Sequence, residues 1–223
     1  MARHAEDLEA VLDALELPPS ILLGHSMGGF VAVVAAHLYP DRFTDLLLVD
    51  GGLPLAVPAG ISKEDLLEAT LGPAARRLSM TFPDRATYLE FWKAHPAFEG
   101  DQWSQVVADY ASYDLTGTEP NLRASASLEA VKQDSLDLYG GGVVLEALDE
   151  LKEPVRLLTA PRGLLNETPG LYSPTQLEQW RAELPSVTVQ EVPGVNHYTI
   201  VMGPTGAAAI AQEVLRLTGA ITS

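Results

Sequence analysis

Ser26 stands in the stretch Gly24-His25-Ser26-Met27-Gly28. A serine hydroxyl is a weak nucleophile. It attacks a carbonyl usefully only when a base takes its proton and donors receive the oxyanion. The G-x-S-x-G spacing serves display: flanking glycines let neighbouring backbone approach with no Cβ in the way. A strand that breaks here into a helix holds the serine outward in a strained conformation. A helix beginning near Met27 aims its free N–H groups, and the positive end of its dipole, at the same point. The chemistry on offer is acyl transfer, with Met27 N–H as the oxyanion donor.

That display requires a strand before Ser26 and a helix after it. Ile21–Leu23 is a short apolar run, and Gly28–Leu38 reads as a buried helix stopped by Pro40. No charge occurs from Ile21 to Tyr39, a stretch close to the length of a membrane span. Its centre holds His25, Ser26, Gly28 and Gly29, which favours strand, turn and helix over a span. Leu8, Val11, Leu12 and Leu15 recur at helical spacing, so residues 4–16 are predicted to be an amphipathic helix ended by Pro18 and Pro19. Three more strands are predicted at "DLLLVD" (45–50), "VRLLTA" (155–160) and "VTVQEV" (187–192), with helices at 175–184 and 205–218.

From about residue 54 to 150 the pattern changes. Helical patches such as "KEDLLEATL" and "ATYLEFWKA" are broken by Pro and Gly, no strand alternation is visible, and "YGGGV" (139–143) has the composition of a hinge. Short apolar strands alternating with helices indicate a parallel sheet covered on both faces. The expectation is an α/β core from residues 1–53 and 151–223, with 54–150 inserted as a helical cap over the C-terminal edge of the sheet.

The 223 residues carry 30 acidic against 14 basic side chains, a formal net charge of −16. Such a surface repels phosphate backbones and anionic lipid, so neither nucleic acid nor membrane is an expected partner. With no cysteine, disulfides, thiolate metal sites and cysteine nucleophiles are excluded. The charged N-terminus lacks the apolar run of a signal peptide, and the expected location is cytoplasmic. His4, His25, His37 and His95 make no metal-ligand spacing. Neither metal nor cofactor is expected.

"GHSMGG", followed by "AAHLYPDRFTDLLLVD" and the late "VPGVNHYTI", resembles the α/β-hydrolase family in its Ser-nucleophile, capped form. The resemblance covers most of the chain outside the cap. It implies the chain order nucleophile, acid, histidine. His197 matches the family histidine, in a loop between the strand at 187–192 and the last helix; imidazole is the natural base near neutral pH. The acid is open. Family members usually carry it after the strand corresponding to 155–160, where this chain reads "APRGLLNETPG" with Asn166 near the expected position. An amide there is a poor substitute, since in the serine-protease template that swap costs about 10⁴ in rate. Some relatives place the acid one strand earlier, where Asp50 ends "DLLLVD". Asp50 is preferred; Glu167 is the third candidate. Serine at position 26 argues against the dehalogenase and epoxide-hydrolase branches, which use Asp.

Aromatic side chains including Tyr88, Phe91, Trp92, Phe98 and Trp103 gather in the inserted region. They either line an apolar acyl or aryl pocket or pack the insertion's own small core, and the second reading is favoured. The family sheet has more strands than the four read here. Those preceding the first helix, and the loop bearing a second oxyanion donor, have no counterpart. Ile21–Leu23 is then expected at an exposed sheet edge, open to self-association.

Two functions follow. In one, the protein is a serine hydrolase of a small ester or related acyl compound, working through Ser26, His197 and Asp50 and an acyl-enzyme. In the other it is a truncated or non-catalytic relative without a complete oxyanion hole.

Overall fold

The computed structural model describes residues 1–57, 60, 65, 76–151 and 154–221. The chain divides into two compact units, Met1–Ala56 with Asp137–Ser223, and Val57–Leu136.

The first unit is a parallel sheet with helices on both faces. In chain order it runs α1 (Ala2–Ala14), β1 (Ser20–His25), α2 (Met27–Leu38), β2 (Phe43–Val49), α3 (Gly142–Glu150), β3 (Val155–Thr159), α4 (Pro174–Glu183), β4 (Val187–Glu191) and α5 (Pro204–Leu217). The sheet order is β1-β2-β3-β4, every pairing parallel. Consecutive side chains of a strand point to opposite faces, and β2 shows the result. Leu46 and Leu48 join the apolar cluster shared with α1, α2 and α3, while Leu47 and Val49 join the cluster that packs against α5. A strand buried on both faces reads as a continuous apolar run, which is why "LLLV" carries no polar alternation. Among the described residues β1 pairs only with β2 and forms one edge of the sheet, where Leu23 is 41% exposed. The uncharged stretch Ile21–Tyr39 is divided between β1 and α2, and among the described residues no helix is long and apolar enough to cross a membrane.

The first helix buries a different stripe from the one its leucines suggest. Met1, Ala5 and Leu12 are buried and Leu8 packs partly against them, whereas Val11 is half-exposed and Leu15 lies beyond the helix end in solvent. The buried set, at positions 1, 5, 8 and 12, is itself a helical stripe. It begins with the first residue, whose ammonium group pairs with Asp137 at 2.8 Å. In the "YGGGV" stretch, Gly140 has φ 84° and Gly141 caps α3. α3 packs on α2, so residues 137–150 belong with the first unit.

Among its described residues the second unit is helical with one small antiparallel ladder. Helices Arg85–Lys93, Gln105–Tyr113 and Leu128–Ser135 start at Asp84, Ser104 and Ser127, whose side chains each accept a backbone N–H of the first turn. Leu115–Thr116 pairs with Arg123–Ala124, a ladder too short to show alternation in sequence. The patch "ATYLEFWKA" falls in the first of these helices; "KEDLLEATL", but for Asp65, lies outside the described residues.

Candidate active site

β1 ends at His25, and Ser26 turns the chain. Its N–H donates to the Val49 carbonyl at 3.0 Å, which fixes it beside the end of β2. Its backbone then takes φ 53° and ψ −126° as N-cap of α2, a conformation that costs a non-glycine residue on the order of 1–3 kcal/mol. The glycines make this possible. A Cβ on Gly24 would stand 2.2 Å from the Gly28 carbonyl oxygen, so the strand and the first turn of the helix touch backbone to backbone. Met27 is the first residue of α2, and its N–H has no intrahelical acceptor.

Asp50 follows β2 in a left-handed turn of its own, φ 42°. Its N–H donates to the Leu158 carbonyl at 2.7 Å, and Ala160 N–H donates to its Oδ1 at 3.0 Å. Both contacts tie it to the end of β3. The side chain is 0% exposed. Its other oxygen, Oδ2, lies 2.7 Å from His197 Nδ1. A carboxylate can only accept, so Nδ1 carries the proton. Nε2 is then the free lone pair, and Ser26 Oγ–H donates to it across 2.9 Å. A hydroxyl, an imidazole in the base tautomer and a buried carboxylate are thus connected in series, all within the first unit.

The loop that presents His197 is built by its neighbour. Asn196 Oδ1 accepts the N–H groups of Tyr198 and Thr199 at 3.0 and 2.9 Å, and Asn196 N–H donates to Thr199 Oγ1 at 2.8 Å. His197 N–H donates to the Arg162 carbonyl at 3.0 Å. Asn-x-x-Thr ahead of a helical pattern is a capping signal, and it was available in the sequence.

Asn166 and Glu167 are elsewhere engaged. Asn166 Oδ1 accepts from Asn196 Nδ2 at 3.2 Å. Glu167 curls into its own loop, where Oε2 accepts Leu165 N–H at 2.7 Å. The structure joins Asp50, and neither of these, to the histidine.

Tyr172, not singled out from the sequence, and His25, which the sequence places inside the turn as a structural residue, frame the site. Tyr172 is buried; its hydroxyl donates to the Leu53 carbonyl at 2.9 Å and accepts Leu53 N–H at 3.2 Å. This pins the chain just past Asp50. Burial, and then the Asp50 charge, push the Tyr172 phenol up, so it stays a neutral donor. His25 is the other: its Nε2 lies 2.9 Å from the His197 carbonyl oxygen. Burial first, then the neighbouring His197, lower the His25 imidazole to about 4. Nothing in the sequence alone brings His25 to a loop so far along the chain.

The aromatics considered for substrate binding pack among themselves inside the second unit. Tyr88 and Trp92 are buried, Phe82 meets Tyr88 edge-on at 4.7 Å, and Phe98 meets both Trp92 and Trp103 at 6.0 Å. The Tyr88 hydroxyl is held by Arg77 and Asp114, and burial together with the Asp114 bond pushes it up to about 12. Phe91 meets Phe82 at 5.5 Å. Among the described residues, no group of His, Asp and Glu is gathered as a metal-ligand set.

An open parallel sheet with its chemistry at the C-terminal strand ends, and a serine on a strand–helix turn, defines an α/β-hydrolase fold. Residues 1–213 match the alpha/beta hydrolase family, and the chain belongs to it. Over 49 residues, 22% of this chain, it is 47% identical to a (lyso)-N-acylphosphatidylethanolamine lipase of Bos taurus, of which it covers 14%. Over 205 residues, 90% of this chain, it is 26% identical to the 2-(acetamidomethylene)succinate hydrolase of Mesorhizobium japonicum, of which it covers 66%. The chain thus spans less than two thirds of the length of either relative. Among solved structures, E-2-(acetamidomethylene)succinate hydrolase shares the fold with a TM-score of 0.71 at 23% identity, over 95% of this chain and 72% of that one.

Proposed function

We propose that the protein is a serine hydrolase acting on a small ester or related acyl substrate through an acyl-enzyme. In this reading Ser26 is the nucleophile, His197 the base and Asp50 the acid that orients it. His197 Nε2 takes the Ser26 proton as Oγ bonds to the substrate carbonyl carbon. The oxyanion that forms meets Met27 N–H and the positive end of α2. His197, now an imidazolium facing Asp50, returns the proton to the leaving group, and the acyl-serine remains. A water activated by the same imidazole then releases the acid. Asp50 serves by holding the Nδ1–H tautomer and stabilising the transient cation.

The observation that carries this reading is the unbroken series Ser26 Oγ, His197 Nε2, His197 Nδ1, Asp50 Oδ2, at 2.9 and 2.7 Å. Membership of a hydrolase family, and relatives named as hydrolases, support it. The test is hydrolysis of short-chain aryl esters by the protein and by Ser26→Ala. Turnover that vanishes in the variant is expected; equal turnover in both contradicts the assignment.

A second reading is favoured by one observation, the position of β1 at the sheet edge. There Ser26 has the α2 terminus as its assigned oxyanion donor, and loss of a second donor costs about 10²–10³ in turnover. A protein that accepts a reactive acyl group on Ser26 yet barely turns over esters is what this reading expects. The same edge is the surface through which self-association is expected, measured as concentration-dependent mass.

A further inference from the structure

The base of the series is held at four points, and one of them comes from the nucleophile's own strand. His197 is bonded through its backbone N–H to Arg162, through Nδ1 to Asp50, through Nε2 to Ser26, and through its carbonyl to the side chain of His25. A carbonyl oxygen can only accept, so the His25 ring must carry its proton on Nε2. The ring also lies against the His197 ring, centroids 4.7 Å apart and planes tilted by 34°. The lowered His25 pKa of about 4 keeps this ring neutral at ordinary pH, so the strap adds no cation beside the imidazolium that His197 becomes.

Resting on the serine-hydrolase reading, we infer that His25 is a positioning residue for the base. It couples the main chain of His197 to the residue adjoining Ser26 and so sets the distance between nucleophile and base. His25 and Val49 are paired across the sheet, and Ser26 N–H bonds the same Val49. The strap is therefore anchored on the backbone that positions Ser26. Unlike the Ser26–His197 bond, which must break and re-form in each cycle, the strap can hold the loop at 192–198 to β1 throughout. A misplacement of about 1 Å between reacting groups is worth up to about 100-fold in rate.

Side-chain reach makes the test specific. The amide nitrogen of Gln is as many bonds from Cβ as the Nε2 of His, whereas that of Asn is one bond shorter. His25→Gln can donate to the His197 carbonyl; His25→Asn and His25→Leu cannot. Initial rates on an aryl ester and the rate of Ser26 labelling by a fluorophosphonate are measured for the protein and the three variants. Expected are a 10- to 100-fold fall in kcat with KM little changed in His25→Leu and His25→Asn, a parallel fall in labelling, and recovery to within a few-fold in His25→Gln.

A His25→Leu variant as fast as the unsubstituted protein overturns the inference. So does a His25→Gln variant as slow as His25→Leu, which would make the ring a packing element. If the unsubstituted protein is not labelled at Ser26, the hydrolase reading itself fails. The strap is then read by nitrogen-15 NMR at neutral pH, as a neutral His25 ring protonated on Nε2. A neutral His25 ring protonated on Nδ1 contradicts the strap whatever the activity.

Discussion

The ends of β2 and β3 lie side by side at the same edge of the sheet, and each is followed by a loop bearing an acid. The two loops differ in what holds them. After β2, Asp50 turns at once; its N–H donates to the Leu158 carbonyl and its carboxylate accepts Ala160 N–H. Gly51 then passes so close to Ser26 that a Cβ on it would stand 2.1 Å from the Ser26 carbonyl oxygen. After β3, Glu167 is exposed on a longer excursion, and its carboxylate closes the loop on itself. A short turn wedged between backbones presents its acid inward. A longer loop that must satisfy its own N–H groups spends its acid on them. Here the acid that follows its strand at once meets the histidine, and the one on the longer excursion does not.

The sharpest way to break this comparison is to move the acid. Asp50→Asn should lower kcat by about 10⁴, as in the serine-protease template, because the amide no longer selects the Nδ1–H tautomer. Adding Asn166→Asp should recover less than about tenfold of that loss, since position 166 contacts Asn196. Full recovery in the double variant would show that the two loops are interchangeable.

A second comparison sets one glycine of each loop against the other. Gly51→Ala meets backbone at 2.1 Å, and Gly163→Ala meets the end of the Glu167 side chain at the same distance. Backbone must shift to admit a methyl, at a typical cost of about 1–3 kcal/mol, and here the shift moves Ser26. Gly51→Ala should therefore lose both stability and most of its turnover. In Gly163→Ala the exposed carboxylate swings aside, and turnover should stay within a few-fold. Thermal midpoints and initial rates read both.

Burial of His25, with the His197 ring beside it, predicts a pH dependence of stability. His25 holds a pKa of about 4 when folded, against 6.5 for the free side chain. Between those values the unfolded chain binds the extra proton, so stability is fully present above pH 6.5 and is lost as pH falls towards 4. At about 1.4 kcal/mol per pKa unit the loss is on the order of 3 kcal/mol. Chemical denaturation at pH 7 and pH 4.5 should show it, and His25→Gln should remove that part of the slope.

The smallest effect is expected at the far loop. Glu167→Gln keeps an acceptor for Leu165 N–H and should change turnover less than about twofold and stability by about 0.5 kcal/mol or less. A large loss of turnover there would reopen the choice of acid.

The sequence makes some of this arrangement legible. The glycine spacing around Ser26 prescribes the strand–helix turn, and the apolar runs at 45–50, 155–160 and 187–192 mark strands whatever the contacts. That Asp50 reaches His197 was legible only as a preference, because strand ends fix where a side chain starts and not how the following loop turns. Glu167 and Asp50 carry the same charge; what separates them is Gly51 against Ser26, a contact across the sheet. The His25 strap is illegible for the same reason, joining residues from opposite ends of the chain. In α1, a leucine count points to Leu8, Val11, Leu12 and Leu15, yet Met1 and Ala5 form the buried stripe with Leu12. Small residues take close-packed positions that hydrophobicity alone does not reveal.

The most direct test of the site is the rate at which a fluorophosphonate esterifies the protein, followed by intact mass and peptide mapping, for the unsubstituted chain, Asp50→Asn and Glu167→Gln. The account predicts a single adduct on Ser26, formed orders of magnitude more slowly in Asp50→Asn and at an unchanged rate in Glu167→Gln. An adduct on another residue, or equal rates in the unsubstituted protein and Asp50→Asn, would contradict it.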